Sequence, residues 1–543
     1  MKKLSLVCLF LSLLHTLVIA QDTLYVQETA IPVMKERKDN VLYYLRINAT
    51  NTKALEYLQL TFAPATKLSD IKSVKLYYAG TEARQDYDKM RMRAVEYVSF
   101  MTPEYTRVAN PSYSILKAEV PVTGYTLTLP VAQTLFPGVN FFWVAVELSD
   151  TASLDRIFSV KMERAVADGK SLLVAHRAVE GVAHRPAVGV RYAGDDGSKA
   201  YRIPGLVTTK KGTLLGVYDV RYNNSVDLQE RVDVGLSRSI DGGHTWEPMR
   251  IALTFGNEGG LPSAQNGVGD PSILVDETNN TIWVVGLWTH GLGNQRSWWS
   301  SQPGMDKTYT GQLVMSRSTD DGRTWSAPIN ITPQVKHPEW YLLLQGPGRG
   351  ITMQDGTLVF PIQFIDKDRM PYAGVMYSKD RGATWHIHNP ARSNTTEAQV
   401  VEIEKGVLML NMRDNRGGSR AVSITRDLGH TWEEHPSSRS ALIEPVCMGS
   451  LLHISAKDNV LGKDLLLFSN PNSTKDRKDM TIKVSLDGGH TWKVENSLCV
   501  DDGYSWGYSC LTQIDRETIG ILYEGSTAHM VFQRIKIKDL VKE

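Results

Sequence analysis

The chain has 543 residues, with 60 Lys and Arg against 59 Asp and Glu, which gives a net charge of +1. This length favours more than one domain, and the balanced charge excludes a nucleic-acid binder that works through a basic excess. With 42% hydrophobic and 22% charged residues, the composition is that of an ordinary globular protein.

The first twenty residues predict a secretory signal peptide. Residues 1–3 are basic after the initial Met, residues 4–20 are largely apolar, and the small Ala20 precedes Gln21. The apolar run is short for a membrane anchor and contains polar residues, so we expect cleavage after Ala20 and export to the periplasm or the extracellular space. No other stretch is apolar enough for a span, so no membrane span is expected after signal removal.

Residues 21–184 predict a β-sandwich domain. Apolar and polar residues alternate in several short runs, including "EYLQLTFAP", "SVKLYYAG", "NFFWVAVELSD" and "IFSVKMERAV". Such alternation is typical of strands that bury one face. The boundary is expected near the polar stretch "RPAVGVRYAGDDGSKAYR". Carbohydrate binding and a plain spacer role both remain open for this domain.

Residues 185–543 contain an internal repeat. The pattern Ser/Thr-x-Asp-x-Gly-x-Thr-Trp, called the Asp box below, begins at Ser239, Ser318, Ser378, Thr425 and Ser485. The spacings of 79, 60, 47 and 60 residues are loose, so insertions must separate the units. Copies follow alternating runs such as "QLVMSRS" and "TIKVSL", which is the pattern of a strand that enters a hairpin.

A second repeat consists of more continuously apolar segments. Its six copies are "GTLLGVYD" from Gly212, "NTIWVVGL" from Asn280, "GTLVFPIQ" from Gly356, "GVLMLNMR" from Gly406, "KDLLLFSN" from Lys463 and "ETIGILYE" from Glu517. Continuous apolar runs suit strands that are buried on both faces. Six units of about 60 residues, without a long amphipathic helix, predict a six-bladed β-propeller. The expected fold class is therefore all-β, with the propeller preceded by the β-sandwich.

The Asp box has three candidate roles. An EF-hand calcium loop requires a Glu at its twelfth position, and no such Glu follows Asp241 at that distance. A catalytic loop has little need of five copies. In a structural role, the Asp accepts hydrogen bonds from nearby backbone N–H groups, Gly supplies the turn, and the Trp packs over it and donates its N–H to a carbonyl. We therefore expect the box to stabilise hairpins.

Three cysteines remain after the predicted cleavage: Cys447, Cys499 and Cys510. An odd number leaves at least one thiol without an intramolecular partner. A Cys499–Cys510 disulfide is one arrangement that an oxidising compartment permits. The count excludes a fold that is built mainly on disulfides.

The stretch "YRIPGL", residues 201–206, upstream of the repeated Asp boxes, resembles the secreted bacterial exo-α-sialidases, or neuraminidases. The resemblance implies the propeller fold and an arginine triad for the carboxylate of sialic acid. Matching of motifs assigns the triad to Arg202, to Arg413 in "LNMRDNRG" and to Arg477 after "FSNPNSTKD". Arg416 and Arg420 are rival candidates for the second position. Arginine suits this task because its charge is permanent and its N–H donors are paired in one plane.

The same resemblance implies a tyrosine nucleophile, since sialidases are exceptions among retaining glycosidases. In "GYSWGYSCL" the motif fits Tyr508 better than Tyr504. A neutral phenol avoids the repulsion that an anionic nucleophile would meet from the substrate carboxylate, but it needs an adjacent base. The stretch "TEAQVVEI" assigns that base to Glu397, with Glu402 as the rival.

Asp227, in "YDVRYNNSVDLQE", is the expected general acid and base. Burial on a loop is expected to raise the pKa of its carboxyl group, so that it protonates the leaving oxygen and then activates water. Arg221 is a further candidate for contact with substrate, whereas Asp219 is expected to be structural. In the insertion 291–309, Trp298 and Trp299 are candidates for stacking on the aglycone sugar or for packing between blades.

The sequence thus predicts an exo-α-sialidase that hydrolyses terminal sialic acids from glycans, glycoproteins or glycolipids with retention. No cofactor and no metal site are expected, because no His and Cys cluster has ligand spacing. Two alternatives remain open. One is a non-catalytic Asp-box propeller that binds glycans, and the other is a trans-sialidase that transfers sialic acid to a sugar.

Overall fold

The computed structural model describes residues 21–81, 114–175, 182–293 and 295–542. The expected signal peptide at residues 1–20 lies outside these ranges. The described chain is dominated by short β-strands, and its α-helices are the single turns α1 (Ser297–Ser300) and α2 (Thr332–Val335). None of the helices within those ranges is long and apolar enough to cross a membrane.

The N-terminal region forms two sheets whose strands are mostly antiparallel. Its strands are β1 (Thr23–Glu28), β2 (Val33–Met34), β3 (Asn40–Ala49), β4 (Lys53–Phe62), β5 (Ile71–Gly80), β6 (Ile115–Pro121), β7 (Thr126–Leu135), β8 (Gly138–Leu148), β9 (Phe158–Ala167), β10 (Lys170–Ser171), β11 (Leu173–Ala175) and β12 (Ala183–His184). One sheet has the order β11-β1-β3-β8-β5-β6, and the other has the order β10-β9-β4-β7 with β12 beside β9.

The two N-terminal sheets share one hydrophobic core. Leu45 and Val144 of the first sheet belong to the same buried cluster as Leu58 and Met162 of the second sheet. The alternation in the sequence places these apolar side chains on the inner face of each sheet and polar ones outside. The burial pattern of β7, in which every second residue from Leu127 to Val131 is buried, shows this most plainly.

The second region contains the remaining strands: β13 (Pro186–Arg191), β14 (Ala200–Thr208), β15 (Leu214–Arg221), β16 (Val232–Ser239), β17 (Arg250–Leu253), β18 (Val268–Asp276), β19 (Thr281–Trp288), β20 (Gln312–Ser318), β21 (Ile329–Asn330), β22 (Leu342–Gln345), β23 (Gly348–Arg349), β24 (Ile351–Thr352), β25 (Leu358–Ile365), β26 (Pro371–Ser378), β27 (His386–Ile387), β28 (Arg392–Ser393), β29 (Thr395–Glu404), β30 (Val407–Asp414), β31 (Gly418–Ser419), β32 (Ala421–Thr425), β33 (Glu433–Glu434), β34 (Ile443–Glu444), β35 (Ser450–Ile454), β36 (Leu465–Pro471), β37 (Lys478–Ser485), β38 (Ser497–Tyr504), β39 (Ser509–Gln513), β40 (Thr518–Tyr523) and β41 (Met530–Lys536).

These strands form six larger sheets, numbered here along the chain. Sheet 1 is β14-β15-β16-β17, sheet 2 is β21-β20-β19-β18-β23, and sheet 3 is built on β22-β25-β26-β27. Sheet 4 is β29-β30-β32-β33, sheet 5 is β35-β36-β37-β38, and sheet 6 is β2-β13-β41-β40-β39. The short strands β31 and β34 pair with each other.

Successive sheets share hydrophobic cores. Separate buried clusters join sheets 1 and 2, 2 and 3, 3 and 4, 4 and 5, and 5 and 6. A further cluster joins sheet 6 to sheet 1, with Leu522 and Phe532 from the former and Leu206 and Tyr218 from the latter. The order of cores therefore closes on itself.

The sequence predicted that the six apolar segments of the second repeat are strands buried on both faces, and this prediction is confirmed. The six copies become β15, β19, β25, β30, β36 and β40, each with strand neighbours on both sides in its sheet. Nearly every residue of these strands is buried. Continuous burial is the physical reason for their continuous apolar sequence.

Each Asp box closes the turn after the strand that precedes it. In the first box, Ser239 donates to Asp241, while the backbone N–H and the hydroxyl of Thr245 donate to the same carboxylate at 3.0 and 2.6 Å. The other four boxes repeat these contacts. The expected indole bond is present for Trp432 and Trp492. The expectation of this bond was wrong for the other three boxes. Their indole N–H groups, on Trp246, Trp325 and Trp385, have no acceptor among the described residues.

The two regions are joined by backbone pairing and by ion pairs. Strand β2 leaves the N-terminal sheets and pairs in parallel with β13, which places it at the edge of sheet 6. Arg534 of β41 donates to Asp155 at 2.6 Å. The carboxylate of Asp502, on β38, accepts bonds from the hydroxyl of Thr29 and the backbone N–H of Ala30, both at 2.9 Å.

Candidate functional site

The predicted site residues come from different sheets. Arg202 lies on β14 of sheet 1, and Asp227 lies in the loop after β15. Glu397 and Arg413 lie on the neighbouring strands β29 and β30 of sheet 4. Tyr508 immediately precedes β39 of sheet 6. Asp227, Glu397, Arg413 and Tyr508 line one cavity, whereas Arg202 and Arg477 lie beside the Tyr508 ring and are not part of the cavity wall.

The hydroxyl of Tyr508 contacts a carboxylate and a guanidinium. It donates to a carboxylate oxygen of Glu397, and Arg413 donates to the Tyr508 oxygen at 3.1 Å. Arg413 also donates to the second oxygen of Glu397 at 2.6 Å. The phenol oxygen therefore has a proton acceptor and a cation in direct contact.

Arg202 and Arg477 flank the same tyrosine ring. The guanidinium carbon of Arg202 lies 5.7 Å from the centre of the Tyr508 ring, and that of Arg477 lies 5.8 Å from it. Arg202 is fixed by Glu524, whose carboxylate accepts its Nε–H at 2.7 Å. Arg477 donates to the backbone carbonyls of Trp506 and Val446.

The backbone next to Arg202 is unusual. Ile203 has a φ of 62°, a conformation that costs a β-branched residue on the order of 1–3 kcal/mol. The strand register shifts between Arg202 and Gly205, and the N–H of Ile203 donates to Glu524 at 3.0 Å. The Arg-Ile-Pro segment therefore forms a bulge, and Glu524 holds both that bulge and the arginine side chain.

Burial and the neighbouring charge of Glu397 raise the pKa of Tyr508 well above its usual value, against the opposing effect of Arg413 and Arg477. Tyr508 is 5% exposed. At neutral pH the phenol is consequently protonated, and its proton already points at Glu397.

Asp227 also lines the cavity, with its side chain 55% exposed. The expectation of a raised pKa was wrong for the unliganded protein. Burial disfavours the charge, but Arg221 and Arg202 outweigh it and lower the pKa of Asp227. Arg221 donates to Asp227 at 3.0 Å, which is close enough to stabilise the carboxylate directly.

Arg221 lies behind the cavity wall, so the structure does not support the expected contact with substrate. Its side chain is 1% exposed, and its donors are taken by Asp219, Asp227 and the carbonyl of Ser225. Asp219 also accepts the backbone N–H of Asp270 at 2.8 Å. The structural role expected for Asp219 is confirmed, and Arg221 positions Asp227.

The cavity has a volume of about 350 Å³. Its lining includes the hydrogen-bonded group of Glu397, Arg413 and Tyr508, and also Asp227, Arg296, Trp298 and Trp299. Such a volume suits one monosaccharide unit with further sugars outside. Across residues 21–81, 114–175, 182–293 and 295–542, no group of three or more His, Cys, Asp or Glu side chains is placed to hold a metal ion.

Comparisons with known proteins show the family of the chain. The family model for the N-terminal domain of BNR-repeat neuraminidase matches residues 21–171, and the model for the BNR repeat-like domain matches residues 203–524. A sialidase of Bacteroides fragilis (strain YCH46) is 63% identical over 523 residues, which cover 96% of each chain. The chain belongs to the bacterial sialidase family.

Solved structures give the same result. The Hadza microbial sialidase Hz136 is 57% identical, has a TM-score of 0.91 and covers 95% of this chain and 100% of its own. The intramolecular trans-sialidase of Ruminococcus gnavus, solved with oseltamivir carboxylate, shares the fold at 21% identity, with a TM-score of 0.53 over 65% of this chain and 98% of its own. The protein is therefore a glycoside hydrolase of the sialidase class.

The rival residues of this sialidase have other contacts. Arg420 is fully buried and donates to Glu444 and Asn411. Arg416 pairs with Asp414, and Glu402 accepts backbone N–H groups of a neighbouring turn. None of these rivals lines the cavity, whereas Arg413 and Glu397 do.

Sequence analysis missed two acids of the sialidase site. Asp270 lines the cavity, and burial followed by the charge of Asp219 raises the pKa of Asp270 well above its usual value. The sequence contains one signal for Asp270, because a proline follows it, as Pro204 follows Ile203. In the structure both residues before these prolines have a positive φ, which is 55° for Asp270. Glu524, which ends the sixth apolar repeat, contacts Arg202, Ile203 and the N–H of Tyr508.

The cysteines of the sialidase are not paired. Cys447, Cys499 and Cys510 are free, so the arrangement with a Cys499–Cys510 disulfide was wrong. Cys510 is buried in the core between sheets 6 and 1. Cys447 packs beside Tyr508 in a small buried cluster.

Proposed function

We propose that the protein is an exo-α-sialidase that hydrolyses terminal sialic acids from glycans, glycoproteins and glycolipids with retention, through a covalent tyrosyl intermediate. One observation carries the proposal. The hydroxyl of Tyr508 contacts both the carboxylate of Glu397 and the guanidinium of Arg413, at the wall of a cavity that Asp227 also lines.

The arginines provide the site for the substrate carboxylate. Arg202, Arg413 and Arg477 all face the Tyr508 ring or its hydroxyl. Among the described contacts of Arg202 only Nε is used, which leaves its terminal N–H groups available to an anion. Planar, paired donors fit a carboxylate, so sialic acid binds with its anomeric carbon close to the phenol.

Tyr508 acts as the nucleophile in the first step. Its oxygen attacks the anomeric carbon as its proton passes to Glu397, and the glycosidic bond breaks through an oxocarbenium-like state. Because the raised pKa of Tyr508 keeps the phenol neutral until then, no negative charge faces the substrate carboxylate before attack. Arg413 stabilises the charge that develops on the phenol oxygen.

Asp227 completes both half-reactions. Protonated Asp227 donates its proton to the departing oxygen, and the resulting carboxylate then takes a proton from a water that attacks the anomeric carbon. The bond between that carbon and the Tyr508 oxygen breaks, and Glu397 returns its proton to the phenol. Arg221 holds the carboxylate of Asp227 in place and favours its charged form. Bound substrate removes water from Asp227, which acts in the direction that raises its pKa for the first step.

The architecture supports the same assignment. We infer that sheets 1 to 6 are the blades of a six-bladed propeller, because their shared cores run in a closed order. Residues 21–184 form the proposed β-sandwich and residues 185–543 form the propeller, apart from β2, which joins sheet 6. With a signal peptide at residues 1–20, the enzyme is exported and meets sialylated glycans in the periplasm or outside the cell.

A fluorinated sialosyl probe tests the nucleophile. Fluorine beside the anomeric carbon slows the breakdown of the intermediate, so peptide mapping should find one adduct, on Tyr508. The matched control is Tyr504→Phe, which should still form the adduct, whereas Tyr508→Phe should not. An adduct on another residue contradicts the assignment of Tyr508, and a protein that releases no sialic acid from any α-sialoside contradicts the enzymatic function itself.

Leaving-group dependence tests Asp227. An aryl sialoside has a good leaving group that needs little protonation, whereas a sialyl sugar needs an acid. Asp227→Ala should therefore lower the rate on sialyllactose by about 10²-fold or more relative to the aryl substrate. Equal losses on both substrates contradict the acid role.

A further inference from the structure

The insertion between β19 and β20 lines part of the cavity. Helix α1 (Ser297–Ser300) is attached to the loop that carries Asp227, because the N–H of Ser297 donates to the carbonyl of Leu228 at 2.7 Å. Ser297 is 2% exposed, so this attachment is buried. The backbone of α1 is thus fixed beside the Asp227 loop.

The two tryptophans of α1 have different surroundings. Trp298 packs against a buried cluster that includes Leu228 and Leu342, which gives it a structural role. Trp299 lines the same cavity but is 63% exposed. An indole face held open beside a sugar-sized cavity is an apolar surface on which a pyranose ring can stack.

Arg296 adds a charge to this surface. It is exposed and lines the cavity, and its charge helps to lower the pKa of Asp227. Its guanidinium makes no hydrogen bond or ion pair within the described residues, although its backbone carbonyl accepts from Trp299 and Ser300. The other arginine that lines the cavity, Arg413, is paired with Glu397. Arg296 is therefore the arginine of the described cavity wall whose guanidinium is free for an acidic group of a ligand.

The position fixes which part of a substrate reaches these side chains. Asp227 faces the oxygen that leaves, so the sugar attached to that oxygen extends past Asp227 and away from Tyr508. Helix α1 is bonded to Leu228, the residue after Asp227, and the charge of Arg296 acts on Asp227. Glu397 and Arg413 instead bond to Tyr508. The penultimate sugar, and not the terminal sialic acid, is the unit placed against Arg296 and Trp299.

We propose that Arg296 and Trp299 form a subsite for an acidic penultimate sugar, so that the enzyme favours substrates in which terminal sialic acid is attached to another negatively charged sugar. Trp299 stacks on the ring, and Arg296 pairs with its anionic group. This inference rests on the proposed sialidase function. A second sialic acid, as in an α2,8-linked pair, and a sulfated galactose share the required chemistry.

The test compares kcat/KM on four substrates: methyl α-sialoside, 3′-sialyllactose, its 6-sulfated galactose derivative and a methyl glycoside of α2,8-linked disialic acid. Arg296→Gln should lower kcat/KM on an acidic-aglycone substrate about tenfold more than on sialyllactose, the size of one charge-assisted hydrogen bond. Arg296→Lys should keep part of this preference. A loss on only one acidic substrate identifies whether the carboxylate or the sulfate is the group that Arg296 recognises.

Trp299→Ala should lower kcat/KM on the substrates with a sugar aglycone more than on methyl α-sialoside. The controls are Tyr309→Ala, which removes an aromatic side chain of equal 63% exposure from the same insertion, and Arg426→Gln, which removes an exposed arginine from an Asp box. Added salt should weaken the preference for acidic aglycones, because the Arg296 contact is exposed.

The outcomes separate the two proposals. If Arg296→Gln changes kcat/KM on all four substrates by the same factor, the acidic subsite is wrong although the sialidase function stands. If the wild-type protein releases sialic acid from none of them, the sialidase function fails first. If only Trp299→Ala discriminates between sugar and methyl aglycones, the site takes neutral sugars and the role of Arg296 is wrong.

Discussion

The Asp boxes and the catalytic cavity both depend on aspartate and glutamate, but the two regions use these residues differently. The carboxylate of a box finds its partners within four residues, as Asp380 does with Ser378 and Thr384. Those hydrogen bonds, led by the hydroxyl of Thr384, lower the pKa of Asp380 to about 2. A box acid is therefore satisfied by its own turn and has no capacity left for a ligand.

The acids of the cavity have distant partners instead. Glu397 contacts Tyr508 across 111 positions, and Glu524 contacts Arg202 across 322. Such contacts exist only when several sheets are assembled, and they leave donors facing the cavity. Repetition in this sequence therefore marks local stability, whereas function lies in single-copy residues whose partners are far away in the chain.

The largest expected effect comes from the nucleophile. Tyr508→Phe removes the attacking oxygen and should lower kcat on sialosides by at least about 10³-fold. The melting temperature should change little, since the ring still packs beside Cys447 and Ile203. Turnover above this limit in the variant contradicts a nucleophilic role, and Tyr504→Phe serves as the control.

Glu524→Gln should have the next largest effect. The carboxylate accepts from Arg202, from the N–H of Ile203 and from the N–H of Tyr508, and an amide cannot accept from all three. Small displacements of reacting groups cost about 10²-fold in rate, so kcat/KM should fall by this order. KM for the substrate should rise as well, because Arg202 is one of the proposed partners of the substrate carboxylate. An unchanged KM with a lower melting temperature indicates a purely structural role.

Asp501 is intermediate between the box acids and the cavity acids in the distance to its partner. Its carboxylate accepts the backbone N–H and the hydroxyl of Ser526, which is 25 positions away. Burial raises its pKa to about 6. As pH rises from about 4 to 6, the unfolded chain gains the carboxylate charge before the folded protein does, so Asp501 destabilises the fold increasingly over this range and fully above it. The stability of Asp501→Asn relative to the wild type should therefore improve by up to about 3 kcal/mol between pH 4 and pH 7. Melting temperatures across this range measure the change.

The control for Asp501 is Asn459→Ala, which changes a buried polar side chain that carries no titratable group. Its difference from the wild type should stay constant over the same pH range. A constant difference for Asp501→Asn as well contradicts the raised pKa.

A box variant should have the smallest effect. Asp487→Ala removes bonds from Ser485 and Thr491 and should lower the unfolding free energy by about 1 kcal/mol, as loss of a local cap does. Its kcat/KM should equal that of the wild type, because the box lies outside the cavity wall. A loss of activity without a loss of stability would give the box a role that its contacts do not suggest. Asp368→Ala, at an exposed loop acid, is the control.

The sequence predicted the strands better than the contacts between them. Periodicity identified the six apolar strands because burial on both faces leaves its mark residue by residue. The motifs also identified Arg413, Glu397 and Tyr508, which the structure brings into direct contact. The lowered pKa of Asp227 was not predictable, because it depends on Arg221 and Arg202, whose positions only the assembled sheets determine.

Two further features also needed coordinates. In the sequence, Asp270 resembles an ordinary turn residue at the start of an apolar run. In the structure, the strand register shifts between Gly269 and Ser272, and Asp270 lines the cavity. The free Cys499 and Cys510 are another case, since closeness in sequence does not bring side chains on β38 and β39 together.

The placement of β2 in sheet 6 limits how this enzyme can be divided or recombined. A polypeptide that begins at residue 185 lacks the strand beside β13 and exposes an open sheet edge, a known starting point for aggregation. It also lacks Thr29 and Ala30, the donors to Asp502 in the segment that leads to Tyr508. The N-terminal region is thus not a detachable accessory. A chimera between relatives has to carry residues 29–34 together with the sheets that they complete.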